Sequence, residues 1–256
     1  MEKRTEYIDR RPISFLDLLV SRSPMPEKFF WARLAYQLTV IVTQACNMQC
    51  TYCYDKSRNE KEIVKSELSS EEIIKIIQEA RSVGVRQIKL TGGEVFVKRG
   101  IKKILEACQG IALYLCTNGK LLGEWIPFLS RMNFEQLHIH TSLDGLDSHL
   151  KYSVNGISHE KLLEKMRMAK EVIKGVHTSV NTVLNKDNIA ELSAMYSQLV
   201  AADIDKWTVS MPYIVSEIVR NNHPFPAFDD FASASAELLS VHFGVKEGSY
   251  AIYGFK

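Results

Sequence analysis

Gln44-Ala45-Cys46-Asn47-Met48-Gln49-Cys50-Thr51-Tyr52-Cys53 puts three thiols within eight residues, in the spacing C-x3-C-x2-C. Three cysteines this close cannot all bridge one another. They can converge on one soft metal centre, because thiolates select zinc or iron–sulfur clusters. Structural zinc usually takes four closed ligands, whereas a three-ligand set suits a four-iron cluster with one iron left open. The plainer reading is a zinc site completed in space by His138 or His140. Immediately upstream, Leu38-Thr39-Val40-Ile41-Val42 is a β-branched run that reads as a strand. The thiols therefore follow a strand's C-terminal end.

Working outward, the same arrangement recurs. Leu90-Thr91-Gly92-Gly93-Glu94, Thr117-Asn118-Gly119 and Ser142-Leu143-Asp144-Gly145 each follow an apolar stretch. Ser69 with Glu72 three residues on forms a capping box, and the helix it opens stripes Ile73, Ile77 and Ala80 on one face before Gly84 ends it. Strands are expected at 85–90, 111–116, 136–142, 176–184 and 206–211. Helices are expected at 101–108, through Leu121, Trp125 and Phe128 with a break or kink at Pro127, at 160–174 and at 189–201. Alternating strands and helices predict an α/β fold with a parallel sheet. Within His138-Ile139-His140-Thr141-Ser142, residues two apart share a face, so His138, His140 and Ser142 point together, as do His177, Ser179 and Asn181. A polar face on two strands is costly in a solid apolar core. It fits an open barrel that holds a polar ligand.

Together the cysteine triplet and the three later motifs resemble the radical SAM superfamily, over roughly residues 37–212. Tyr52 matches the aromatic that precedes the third cysteine there. Val95 departs from the pattern, since many members carry proline after the glutamate. The resemblance implies a partial (β/α)6 TIM-like barrel with parallel strands, whose chemistry lies at the C-terminal strand ends. It implies that Cys46, Cys50 and Cys53 hold a [4Fe-4S] cluster whose open iron chelates S-adenosylmethionine. Reductive cleavage then yields a 5′-deoxyadenosyl radical that takes a hydrogen atom from the substrate. Gly92, Gly93 and Glu94 are implied as contacts to the cofactor's amino group, and Ser142 to its ribose or carboxylate, with Asp144 shaping the loop. Asn181, projecting inward, is a ribose or carboxylate candidate, and Met211 and Tyr52 are adenine neighbours. Thr117 and Asn118 complete the cofactor-binding set. The plainer alternatives are a strand-to-loop turn for the glycine pair, turn residues for Thr117 and Asn118, helix caps for Ser142 and Asp144, core packing for Met211 and a buttress for Tyr52. His138 and His140 read as satisfied polar residues before acid–base groups. Cys108 and Cys116 read as inert buried thiols.

Thr117-Asn118-Gly119 and Ser142-Leu143-Asp144-Gly145 look most like the SPASM/twitch branch, which modifies ribosomally made peptides. No cysteine follows Cys116, a departure from the extra C-terminal clusters of that branch that fits either a one-cluster enzyme or the core of a longer protein. The resemblance thus implies a peptide side chain as substrate, with a small molecule in cofactor or modified-base synthesis, or a non-catalytic metal-bound module, as alternatives. It also implies an electron donor such as flavodoxin or ferredoxin.

The totals set outer bounds. With 256 residues the chain supports one sizeable core with small additions. We divide it into an N-terminal cap segment (1–36), the core (37–212) and a C-terminal extension (213–256). Lys plus Arg is 32 against 30 for Asp plus Glu, and that near balance gives no argument for nucleic acid or a membrane surface. No apolar run is long enough to span a bilayer, and Met1-Glu2-Lys3-Arg4-Thr5-Glu6 leads into no signal-peptide core. Five cysteines, three of them clustered, argue against a disulfide framework and for the reducing cytoplasm.

Overall fold

A computed structural model describes residues 37–53 and 66–210, residues 226, 227, 229–231, 233, 234 and 237, and the backbone of Ala251–Ile252. Among these, seven parallel strands form one sheet in chain order: β1 (Gln37–Thr43), β2 (Gln87–Gly92), β3 (Ala112–Cys116), β4 (Gln136–Ser142), β5 (His177–Val183), β6 (Lys206–Ser210) and β7 (Ala251–Ile252). The helices are α1 (Ser70–Ser82), α2 (Ile101–Ala107), α3 (Leu122–Leu129), α4 (His149–Tyr152), α5 (His159–Val172) and α6 (Leu192–Ala201). Among the described strands β1 pairs only with β2 and β7 only with β6, so the sheet curls without closing. This is the expected partial barrel, with the short β7 added at its edge.

Local chemistry starts and stops the elements where the sequence reading puts them. At α1 the Ser69 hydroxyl accepts from the Glu72 N–H at 3.2 Å, and the Glu72 carboxylate accepts from the Ser69 N–H at 2.8 Å. Two of the helix's orphan donors are thereby satisfied. Ile73, Ile76, Ile77 and Ala80 of α1 are buried. They join outward-facing strand residues such as Val42, Leu90, Leu115, Ile139 and Val180, and helix residues such as Leu105, Ile126, Met166 and Leu199, in one core between sheet and helices. Each such aliphatic side chain contributes about 1.5–3 kcal/mol by leaving water.

The opposite face of the sheet is not a second core. Along β4 the burial alternates, with Leu137, Ile139 and Thr141 buried and His138, His140 and Ser142 half-buried. Lys89 and Thr91 on β2, and Tyr114 and Cys116 on β3, follow the same alternation. The polar inner face read from the sequence is therefore real, and it lines an open concavity.

Two details differ from expectation. Helix α3 runs through Pro127 unbroken: proline withholds one N–H, which leaves the rest of the ladder to hold a short, well-packed helix. The expected 189–201 helix is split into a 3-10 turn (Ile189–Glu191) followed by α6. The cap at 1–36 and Met211 lie outside the described residues, as does most of the extension. Among the described residues of the extension, Phe231, Ser233, Ala234 and Glu237 are helical.

Candidate active site

The three thiols do not stand alone at the end of β1; three further strand ends meet them. An open cavity of about 330 Å³ is lined by Cys46, Cys50, Cys53 and Tyr52, by Gly92 and Gly93 after β2, by Thr117 and Asn118 after β3, and by Ser142 at the end of β4. In an open parallel sheet the strand C-termini are where loops converge, which explains why motifs 24 or more residues apart become neighbours.

The glycine pair has a steric reason. A Cβ on Gly93 would lie 2.1 Å from the Ala45 carbonyl oxygen, and one on Gly92 would lie 2.3 Å from that of Thr43. What the missing side chains admit is the chain's own backbone: the Gly93 N–H donates to Thr43 O at 2.7 Å and the Glu94 N–H to Ala45 O at 2.9 Å. The β2 loop is thus stitched to the start of the cysteine loop. Glu67 adds a second stitch, accepting from the Thr43 hydroxyl at 2.9 Å and from Lys98 at 3.2 Å.

Glu94 is 1% exposed and is not among the cavity-lining residues. Its carboxylate accepts from the Thr117 hydroxyl at 2.8 Å, the Asn118 N–H at 2.7 Å and the Phe96 N–H at 3.1 Å. It ties the β2 loop to the β3 loop. Asn118 carries the tie onward, donating to the Asn47 side chain at 2.7 Å and to the Cys46 sulfur at 3.9 Å.

On the other flank, Asp144 is fully buried and accepts from the Tyr52 hydroxyl, from Ser153 Oγ at 3.3 Å and from the Val183 N–H at 3.1 Å. Burial pushes its carboxyl up to about 6, a tendency the hydrogen bonds from Tyr52, Val183 and Ser153 oppose. Tyr52 therefore buttresses the cysteine loop through Asp144 as well as lining the cavity. Backbone bonds from Gln49 to Val154 and from Thr51 to Tyr152, both 2.9 Å, hold the loop's far side. Asn181 is half-buried on the inner face of β5, accepting from Ser210 Oγ at 3.2 Å; it does not line the cavity.

The sequence reading missed Lys89 and Thr91 as cavity residues and gave Cys116 and His140 little weight; all four line the cavity. Strand parity is the signal that finds them, since Lys89 and Thr91 share a face. Glu67, Asn47 and Glu191 carried no sequence signal, being loop and helix-edge residues. Glu191 accepts from the Leu146 N–H and from Ser148, and so fixes the Asp144 loop.

The donor set fits an iron–sulfur cluster. Among the described residues none of the three thiols forms a disulfide, and all are half-buried and on one cavity. Burial, then the Asp144 charge, pushes the Cys50 thiol up to about 11, so a strongly cationic partner is what would hold it as thiolate. Such ligation is the ordinary chemistry of Cys-bound clusters. Cys108 is different: burial alone pushes it up to about 12, deep in the apolar core.

Fold and site together define a cofactor-dependent α/β enzyme that works at the strand ends of an open barrel. A family model for the radical SAM superfamily matches residues 40–199, and the chain belongs to that superfamily. Its members use a [4Fe-4S] cluster and S-adenosylmethionine. The chain is 30% identical over 164 residues to a GTP 3′,8-cyclase of Clostridium perfringens, covering 60% of this chain and 50% of that protein. It is 31% identical over 222 residues to the GTP 3′,8-cyclase of Peptoclostridium acidaminophilum, covering 82% and 64%. Thus it spans about half to two thirds of the length of these relatives. Among solved structures, Streptococcus suis SuiB bound to its precursor peptide SuiA superposes with a TM-score of 0.71 at 18% identity, over 86% of this chain and 49% of that one. At that identity the likeness concerns the fold. Among the described residues no helix is long and apolar enough to cross a membrane.

Proposed function

We propose that the chain is the catalytic core of an enzyme that reductively cleaves S-adenosylmethionine and modifies a peptide side chain. The observation that carries this reading is the single cavity shared by Cys46, Cys50, Cys53, the Gly92–Gly93 turn, Asn118 and Ser142. Bound there, the cluster and S-adenosylmethionine would supply one-electron chemistry for hydrogen-atom abstraction from the substrate.

The residues of the chain do the rest. Cys46, Cys50 and Cys53 hold the cluster, and the donated bond from Asn118 to the Cys46 sulfur orients that ligand. The Gly92–Gly93 backbone and Ser142 present hydrogen-bonding groups to the cofactor's polar end, and Thr117 and Asn118 close the wall beside them. Glu94 sets the position of Thr117 and Asn118 and lends its charge to the cofactor's ammonium. Asp144, through Tyr52, holds the cysteine loop. Asn181, on the inner face of β5, and Met211, which follows β6 in sequence, serve in this reading as further cofactor contacts. The enclosing strands exclude water from the reactive centre. A small one-electron carrier such as flavodoxin or ferredoxin reduces the cluster, in a reducing cytoplasmic setting.

A peptide substrate is supported by the Thr117-Asn118-Gly119 and Ser142-Leu143-Asp144-Gly145 motifs, and SuiB, which shares the fold, binds a precursor peptide. One observation favours a second reading: the curated relatives at about 30% identity are GTP 3′,8-cyclases, which points to a small molecule.

The test is anaerobic reconstitution with iron and sulfide, followed by dithionite and S-adenosylmethionine. A reduced paramagnetic centre and release of 5′-deoxyadenosine are expected, and both are lost in Cys50→Ala. Normal 5′-deoxyadenosine output from that variant refutes the assignment.

A further inference from the structure

The cofactor cavity reaches along the concave face as far as Lys89 and His140. The face continues across β2 to β6, and its charge is one-sided. By parity the inward positions of β1 to β6 carry no aspartate or glutamate. They carry Lys89, Lys206 and three histidines, two of which, His138 and His140, lie mid-face. Both lysines are half-buried, and among the described residues neither makes an ion pair. Lys89 Nζ sits over the Tyr114 ring, 5.0 Å from its centre. Lys206 lies at the register position beside Ser179.

Ser179 is buried between two rings, 2.7 Å from His138 Nε2 and 2.7 Å from His140 Nδ1. The Ser179 hydroxyl, with one proton to give and two lone pairs to accept with, bridges the two rings, and the roles of the ring nitrogens follow their tautomers. Both rings are held neutral: burial above all pushes each down to about 4, helped at His138 by His177 and Lys206 against an opposing pull from Asp205, and at His140 by Lys89, His138 and Lys206. Protonating either ring beside two lysines is unfavourable, so the positive charge of this face is that of the lysines.

We propose that the substrate carries an oxyanion, phosphate or carboxylate, that docks between Lys89 and Lys206 against the His138–Ser179–His140 bridge. This assignment rests on the reading of the cavity at the thiols as the S-adenosylmethionine site, because Lys89 and His140 line that cavity and the substrate would adjoin the cofactor there. Two half-buried ammonium groups without a carboxylate on the same face are costly unless an anion is brought to them.

The reconstituted chain is titrated calorimetrically at low ionic strength with inorganic pyrophosphate and, separately, with a blocked hexaglutamate peptide. Saturable binding of one of them is expected, weakened about tenfold or more by Lys206→Gln and retained by Lys206→Arg. Preference for pyrophosphate marks a phosphate-bearing small molecule, and preference for hexaglutamate an acidic peptide. No saturable binding of either probe, or binding indifferent to Lys206→Gln in a variant with an unchanged thermal melt, overturns the proposal. Release of 5′-deoxyadenosine by the unsubstituted enzyme separates the two readings. Cleavage without anion binding sinks the substrate assignment alone; no cleavage sinks the cofactor reading and this assignment with it.

Discussion

Glu94 shows how one side chain can serve structure and chemistry together. Its carboxylate is buried and accepts three hydrogen bonds from two loops. Removing an acceptor strands its donors, at about 1–3 kcal/mol for each buried group left unsatisfied. Glu94→Ala is therefore expected to lower stability toward urea by about that amount. It is also expected to weaken S-adenosylmethionine binding, measured by equilibrium dialysis, while iron content stays at the level of the unsubstituted chain. Unchanged affinity would count against the ammonium contact. Sequence alone offered only the carboxylate's presence beside two glycines; that it spans from the β2 loop to the β3 loop depends on both strands being adjacent.

At the scale of elements, the β2 loop and the cysteine loop form one unit. Gly93→Ala drives a Cβ into the Ala45 carbonyl at 2.1 Å, a contact that only backbone movement can relieve. The cysteine loop must then shift, so cluster content per chain, read by iron analysis and absorbance, is expected to fall sharply. Gly84→Ala is the control. Gly84, unlike Gly93, has a left-handed φ, of +96°, and nothing lies within 4 Å of its Cβ position. It is expected to cost about 1–2 kcal/mol of stability from backbone strain, with cluster content intact. Equal loss of cluster in both variants would show that the close packing of the Gly93 turn has no special part.

For the whole molecule, buried histidines set the response to acid. Burial first of all pushes His138, His140 and His149 each down to about 4, whereas an unfolded histidine titrates near about 6.5. Between these values the unfolded chain binds more protons than the folded one, so stability rises with pH across the window. The histidine contribution is fully present above about pH 6.5 and is lost as the pH falls toward about 4. Asp144, pushed up to about 6, acts in the opposite sense in much of the same range, but it is one group against three. The urea midpoint is expected to fall between pH 7 and pH 5, and the fall is expected to be shallower in a His138→Gln, His140→Gln double variant. A midpoint that rises on acidification would show that the carboxylates dominate.

The sequence by itself determined the strand and helix rhythm, the capping box at Ser69, the polar parity of β4 and β5, and the cysteine triplet. Each of these is a local matter of period, cap or spacing within one stretch of chain. Only the tertiary structure decided that Asp144 braces Tyr52, that Glu94 braces Asn118, and that Lys89, Cys116 and His140 share the cavity with the thiols. Those relations join residues on different strands, and strand order, register and curl of the sheet fix them. They come from how the apolar outer faces of the strands pack under the helices, which no single window of sequence encodes.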